Sequence, residues 1–202
     1  MPDTILNAFE RSLYLEKEAI QKLCLLCSKD QLFRQSILDL VIHLNNIPNH
    51  IVFSGVGKSG YVARLIQSGF SSVGIPSFFL HPTEAAHGEL GTLKKDNFLL
   101  LLSKSGNTAE LQTMIEYAKS RSIRTGIITT TKKSPLAQMS DIVIEMPIST
   151  ESGLFGMSPT TSSLLFLALG NALATSIAEL KKVKKENFLE SHPAGAIGKI
   201  SL

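Results

Sequence analysis

Apolar positions in the first 47 residues recur at helical spacing. Ile5, Leu6, Phe9, Leu13, Ile20 and Leu23 line one helix capped by Asp3 or Thr4, and Phe33, Ile37, Leu40, Val41 and Leu44 line a second running from Asp30 toward Asn46. Asn45-Asn46-Ile47-Pro48-Asn49 breaks the period. Five apolar runs of strand length then follow, at Ile51–Ser54, Ser77–Leu80, Phe98–Leu102, Gly126–Thr129 and Ile142–Glu145, each separated by a helix-sized stretch. Such an alternation predicts βαβ units and a parallel sheet. Phe98-Leu99-Leu100-Leu101-Leu102 does not alternate, as expected of a strand covered on both faces. A last long helix is predicted from Ser158-Pro159, with Ser158 as N-cap, to Lys182. The pattern predicts a single α/β domain: a helical hairpin over 1–47, a doubly wound core with a five-stranded parallel sheet over 48–182, and a C-terminal tail over 183–202.

Composition narrows the class. Of 202 residues, 44% are hydrophobic and 18% charged, enough for a sizeable core and too apolar for a disordered chain. A net charge of +3 is weak for a dedicated nucleic-acid binder. Lys181-Lys182-Val183-Lys184-Lys185 falls at a helix end, where cations complement the dipole. Cys24 and Cys27 make a CxxC inside an amphipathic helix, and are expected as buried small residues rather than a redox pair. The Met-Pro-Asp-Thr start lacks a basic-then-apolar signal. Leu164–Ala178, interrupted by Gly170, Asn171, Thr175 and Ser176, falls short of the roughly 20 apolar residues of a membrane span. A cytoplasmic protein is expected, with no nucleic-acid or membrane partner.

Two loops carry the candidate chemistry. The first strand runs into Ser54-Gly55-Val56-Gly57-Lys58-Ser59-Gly60. Its glycines satisfy a dinucleotide fingerprint, but the acidic residue due at the end of the second strand is missing: that strand ends Phe79-Leu80-His81-Pro82, and Glu84 lies beyond the proline. An NAD enzyme is disfavoured accordingly. A glycine loop opening a helix still lets backbone N–H groups approach an anion, and Ser54, Gly55 and Ser59 are candidate substrate contacts. The third strand empties into Ser103-Lys104-Ser105-Gly106-Asn107-Thr108-Ala109-Glu110, where Ser103, Ser105 and Thr108 around one glycine form a phosphate cradle. Strand order would reverse between these two strands, as in flavodoxin-like sheets, placing both loops at a topological switch point. His87, Glu151 and His192 fall in other loops and add groups suited to proton transfer.

These segments together resemble a known family. The two loops above, His81-Pro82-Thr83-Glu84-Ala85-Ala86-His87-Gly88-Glu89-Leu90-Gly91, Ser158-Pro159-Thr160-Thr161-Ser162 and Ser191-His192-Pro193-Ala194-Gly195 resemble the SIS-fold sugar isomerases, and are close to the D-arabinose 5-phosphate isomerases over roughly residues 40 to 200. The resemblance implies interconversion of D-ribulose 5-phosphate and D-arabinose 5-phosphate through a cis-enediol. The product would supply the 3-deoxy-D-manno-octulosonate (Kdo) of lipopolysaccharide. It also implies catalytically relevant Lys58, Glu110, Glu151 and His192 and a substrate-contacting His87. Further contacts are implied at Gly74, Ile75, Thr113 to Ser122 and Pro147 to Ser149. No cofactor is required; in some members an inhibitory zinc binds at the position of His81. A homotetramer whose clefts borrow histidines across an interface is expected.

Members commonly continue into paired CBS regulatory domains, whereas this sequence stops at Leu202, so the expectation is catalysis without nucleotide-type regulation. Ala194 and Thr83 stand where glycine is usual. In the expected mechanism Ser103, Ser105 and Thr108 hold the phosphate, Lys58 polarises the carbonyl, and one of Glu110, Glu151 or His192 is the base. The alternative is a non-catalytic sugar-phosphate-binding SIS regulator. Against it, the first 48 residues lack a basic recognition helix.

Overall fold

The chain, described from residue 2 to residue 199 in a computed structural model, begins with two helices packed on each other, α1 (Pro2–Lys29) and α2 (Gln31–Asn46). Asp30 caps the second, its Oδ1 accepting from the Phe33 amide at 2.8 Å. Then follow β1 (Ile51–Gly55), α3 (Gly57–Ser72), β2 (Ser77–Phe79), α4 (Pro82–Ala86), β3 (Phe98–Leu102), α5 (Ala109–Ser120), β4 (Arg124–Thr129), α6 (Pro135–Met139), β5 (Ile142–Glu145), α7 (Thr161–Leu180) and α8 (Lys185–Glu190). The short α4, α6 and α8 carry too few periodic residues to be read from sequence.

The five strands are parallel in the order β2-β1-β3-β4-β5. β3 is central, pairing Phe98 to Leu102 with Ile51 to Gly55 on one side and with Arg124 to Ile128 on the other. Alternate strand residues feed two cores. Ile51, Phe53, Phe98, Leu100 and Leu102 join the helices α1, α2, α3 and α7, while Val52, Leu99, Leu101 and Ile127 join α4, α5 and α6. The doubly wound arrangement and the reversal between β1 and β3 are therefore as the alternation predicted.

Three local expectations are corrected. The last long helix begins at Thr161, not beside Ser158, because its first turn is held by a distant carboxylate: Glu151 Oε2 accepts from the amides of Thr160 at 2.9 Å and Ser162 at 3.0 Å. That helix also meets the length and hydropathy of a membrane span, which its interrupted apolar run was expected to miss. Thr161–Leu180 is 20 residues long and holds an 18-residue window of mean hydropathy 1.5, enough by length and composition for a membrane span. Leu165, Phe166, Leu169, Leu173 and Ile177 are buried in the protein core, and a Cβ on Gly170 would collide with Ile66 of α3, so this is a core helix. Finally, Cys24 and Cys27 are exposed, since Ala19 and Leu23 take the buried face of α1. Partial desolvation, then the neighbouring Cys24, push the Cys27 thiol up, which disfavours a reactive thiolate.

Candidate active site

β1 and β3 are neighbours, and the helices that follow them leave on opposite faces of the sheet, so α3 and α5 begin on either side of one crevice at the C-terminal edge. Neither helix has a side-chain cap: Val56 cannot provide one, and the Thr108 hydroxyl is turned elsewhere. Backbone amides at both helix starts are thus left for a ligand, with the positive ends of two dipoles converging. Lys58 and Glu110 are the second residues of α3 and α5, and both side chains are exposed.

The loop after β3 is organised by its own hydroxyls. Ser103 Oγ accepts from the Gly106 amide at 3.1 Å and shares a hydrogen bond with Thr108 Oγ1 at 2.8 Å, and Ser105 Oγ accepts from the Asn107 amide at 3.2 Å. Gly106 has φ +61°, and a Cβ there would strike the Ser134 side chain, so only glycine fits the turn. The Lys104 carbonyl fastens the loop to the end of β4, accepting from Thr129 Oγ1 at 3.1 Å, Thr130 Oγ1 at 2.8 Å and the Thr130 amide at 3.0 Å.

Glu151 follows β5 and is 3% exposed. Besides capping α7, it places Oε1 2.6 Å from Lys104 Nζ. Burial alone would push its carboxyl up; the Lys104 ammonium and the hydrogen bonds from Ser162 and Thr160 outweigh that and hold it below the ordinary value. The ion pair ties the Ser103–Thr108 loop to the start of α7.

Other expected residues lie elsewhere. Ser54 is fully buried, its Oγ donating to the Leu80 carbonyl at 2.7 Å and lying 3.2 Å from Met114 Sδ, so its hydroxyl ties β1 to the chain after β2 instead of facing the crevice. Gly74 and Ile75 form the turn that ends α3, at the opposite edge of the sheet from the loops. The 113–122 segment is the body and C-terminal end of α5, with Met114, Ile115 and Ala118 packed into the core. Pro147 to Ser149 do sit at the loop edge, directly after β5. His87 ends α4 and is exposed.

His192 also stands at the far end of α3. Ser191 Oγ donates to the Ser72 carbonyl at 3.3 Å, and the imidazole stacks on Phe188 at 4.2 Å between centroids. His192 Nδ1 donates to the Phe188 carbonyl at 2.7 Å, which leaves Nε2 as the acceptor of the neutral ring.

His81 Nδ1 accepts from the Thr83 amide at 3.3 Å, so that ring nitrogen is engaged in capping α4. Among the described residues no three His, Cys, Asp or Glu side chains converge on it. The residues present do not fit a zinc cage.

Two cations were missed in the sequence. Lys104 was part of the loop motif without a role, although a lysine between two hydroxyls of an anion loop was the available signal. Arg64 lines a cavity of about 170 Å³ with Gly55, Gly57, Phe79 and His81, its guanidinium 4.1 Å above the Phe79 ring. Its position two turns into α3 was the signal.

Comparison with known proteins agrees with this geometry. Residues 44–176 match the SIS domain. An uncharacterized protein of Rickettsia prowazekii is 43% identical over 159 residues, covering 79% of this chain and 50% of that protein. The arabinose 5-phosphate isomerase KpsF of Escherichia coli O6:H1 (strain CFT073) is 34% identical over 195 residues, 96% of this chain and 58% of that protein. The chain thus spans between half and three fifths of the length of these relatives. The structure of E. coli CFT073 c3406 in complex with arabinose 5-phosphate is 33% identical, with a TM-score of 0.88, covering 96% of this chain and 100% of that one. With two thirds of its length matched and the sheet, crevice and loops in place, the chain belongs to the SIS domain family.

Proposed function

We propose that the protein is an aldose–ketose isomerase interconverting D-ribulose 5-phosphate and D-arabinose 5-phosphate, needing no cofactor and supplying the Kdo of lipopolysaccharide. The observation that carries this reading is the pair of uncapped helix starts on either side of the β1/β3 crevice, one of them preceded by the Ser103–Thr108 hydroxyl loop. The likeness to proteins named for this activity, and to a structure bound to arabinose 5-phosphate, supports the substrate class.

In the forward direction a base removes a C1 proton of the ketose. The C–H electrons form the C1=C2 bond, and the C2 carbonyl oxygen becomes the enediol oxygen. The proton is returned to C2 as the C1 hydroxyl loses its own and becomes the aldehyde. The Ser103, Ser105 and Thr108 loop holds the distal phosphate, and Lys58 meets the developing oxyanion. Glu110, Glu151 and the His192 of a second copy are the available bases. His192 is assigned to a neighbour's cleft because it lies at the wrong end of α3 to serve its own. Incubation with D-ribulose 5-phosphate in deuterium oxide, followed by NMR, should show D-arabinose 5-phosphate carrying deuterium at C2. Unchanged ketose with demonstrable sugar-phosphate binding would make the protein a sensor instead.

A further inference from the structure

The Lys104–Glu151 pair is the one ion pair among the described residues, and it joins a buried carboxylate to a loop that is built for a second anion. We propose that Lys104 is a shared cation: a phosphate monoester seated in the Ser103–Thr108 loop draws the Lys104 ammonium away from Glu151, and the carboxylate so released becomes the stronger base. The inference rests on the phosphate-loop reading above and adds a coupling between phosphate capture and proton abstraction.

Three features support it. The Lys104 backbone is fixed by three hydrogen bonds, so its flexible stem is the part free to move, and its side chain is 37% exposed where Glu151 is 1% exposed. A phosphate monoester carries about two negative charges near neutral pH, against one on the carboxylate. Among the described residues Glu151 is paired with no other cation. From α1, Glu16 accepts from Ser152 Oγ at 2.8 Å and adds a like charge nearby, while Lys22 is engaged with Ser149 Oγ at 3.4 Å. From β5, Glu145 accepts from the Lys132 amide at 3.0 Å. The groups contributed by the start of α7 are neutral: the amides of Thr160 and Ser162, the Thr160 hydroxyl and the buried Ser162 hydroxyl. A buried carboxylate that loses its only counter-ion gains proton affinity. Free enzyme would then hold Glu151 ionised and quiet, and substrate would switch it on.

The test is a carbon-13 titration of the Glu151 carboxyl in the full chain, assigned by its loss in Glu151→Gln, with and without saturating inorganic phosphate. Phosphate should raise the proton affinity of Glu151 by about tenfold or more. Lys104→Met should show the raised affinity without phosphate and no further response, whereas Lys104→Arg should respond as the parent does. If phosphate perturbs the Ser103–Thr108 amides but leaves the Glu151 titration unmoved, the shared cation is wrong and the phosphate loop survives. If phosphate does not reach those amides, the loop reading fails and the coupling fails with it. The parent and arginine titrations decide the matter even if Lys104→Met does not fold. A merely structural ion pair would alter stability without giving a phosphate-dependent titration.

Discussion

Lys58 is the second residue of α3, and His192 lies near its other end, where the preceding Ser191 is hydrogen-bonded to the Ser72 carbonyl at 3.3 Å. Ser72 lies fourteen residue steps along the helix from Lys58. At the usual rise that is about 21 Å, several times the reach of either side chain. Within one chain the two cannot meet over a pentose phosphate.

A cleft shared between copies of the chain is the first prediction. Lys58→Ala and His192→Ala should each be inactive alone, and co-assembled mixtures should recover part of the activity, because some clefts then combine an intact lysine with an intact histidine. Verified mixed oligomers without activity would remove His192 from catalysis.

Lys58 should act on the chemical step. Its exposed ammonium stands at a helix start that already offers backbone amides, so anion binding does not depend on it alone. Lys58→Ala is expected to lower kcat by about 10²–10³-fold with a much smaller rise in KM, as for loss of an oxyanion donor. A raised KM at constant kcat would make Lys58 a phosphate anchor.

Glu151 links stability to pH. Its carboxyl is held below the ordinary glutamate value of 4.5 in the folded protein, so its contribution is fully present above that pH and is lost as pH falls through the depressed folded value. Melting temperature followed downward from pH 6 should therefore fall more steeply for the parent than for Glu151→Gln, which has no charge to lose. Parallel curves would show that the ion pair and helix cap contribute nothing.

Chelator treatment should leave isomerisation at least as fast as before. The proton transfer needs only organic groups, and among the described residues no three His, Cys, Asp or Glu side chains converge with His81. Activity that disappears with chelator and returns with zinc would overturn the mechanism.

What the sequence revealed depended on how local each cause was. The strands were legible because Phe98 to Leu102 and their neighbours are apolar on both faces, a property carried by consecutive residues. The loops were legible because glycine and hydroxyl residues gather where a strand meets a helix. The start of α7 was not, because its cap comes from Glu151, ten residues earlier, by a contact that exists only after folding. The exposure of Cys24 and Cys27 was hidden because a helical period shows that a face is apolar without showing which neighbour covers it. Lys104 escaped for a similar reason: its partner is 47 positions away, on another loop. The separation of Lys58 from His192 follows from the direction of α3, which the motif order does not record.

The central position of β3 decides where the molecule is stiff. All five of its residues are at most 1% exposed, and it is hydrogen-bonded along both edges, so its amides should be the last to exchange with solvent deuterium. The Ser103–Thr108 loop grows directly from that strand and inherits its rigidity. Little of the affinity for a phosphorylated sugar is then spent on ordering the groups that receive it. The segment after Glu151, where Leu154, Phe155 and Met157 are exposed, has no strand behind it, and its amides should exchange fast where those of β3 exchange slowly.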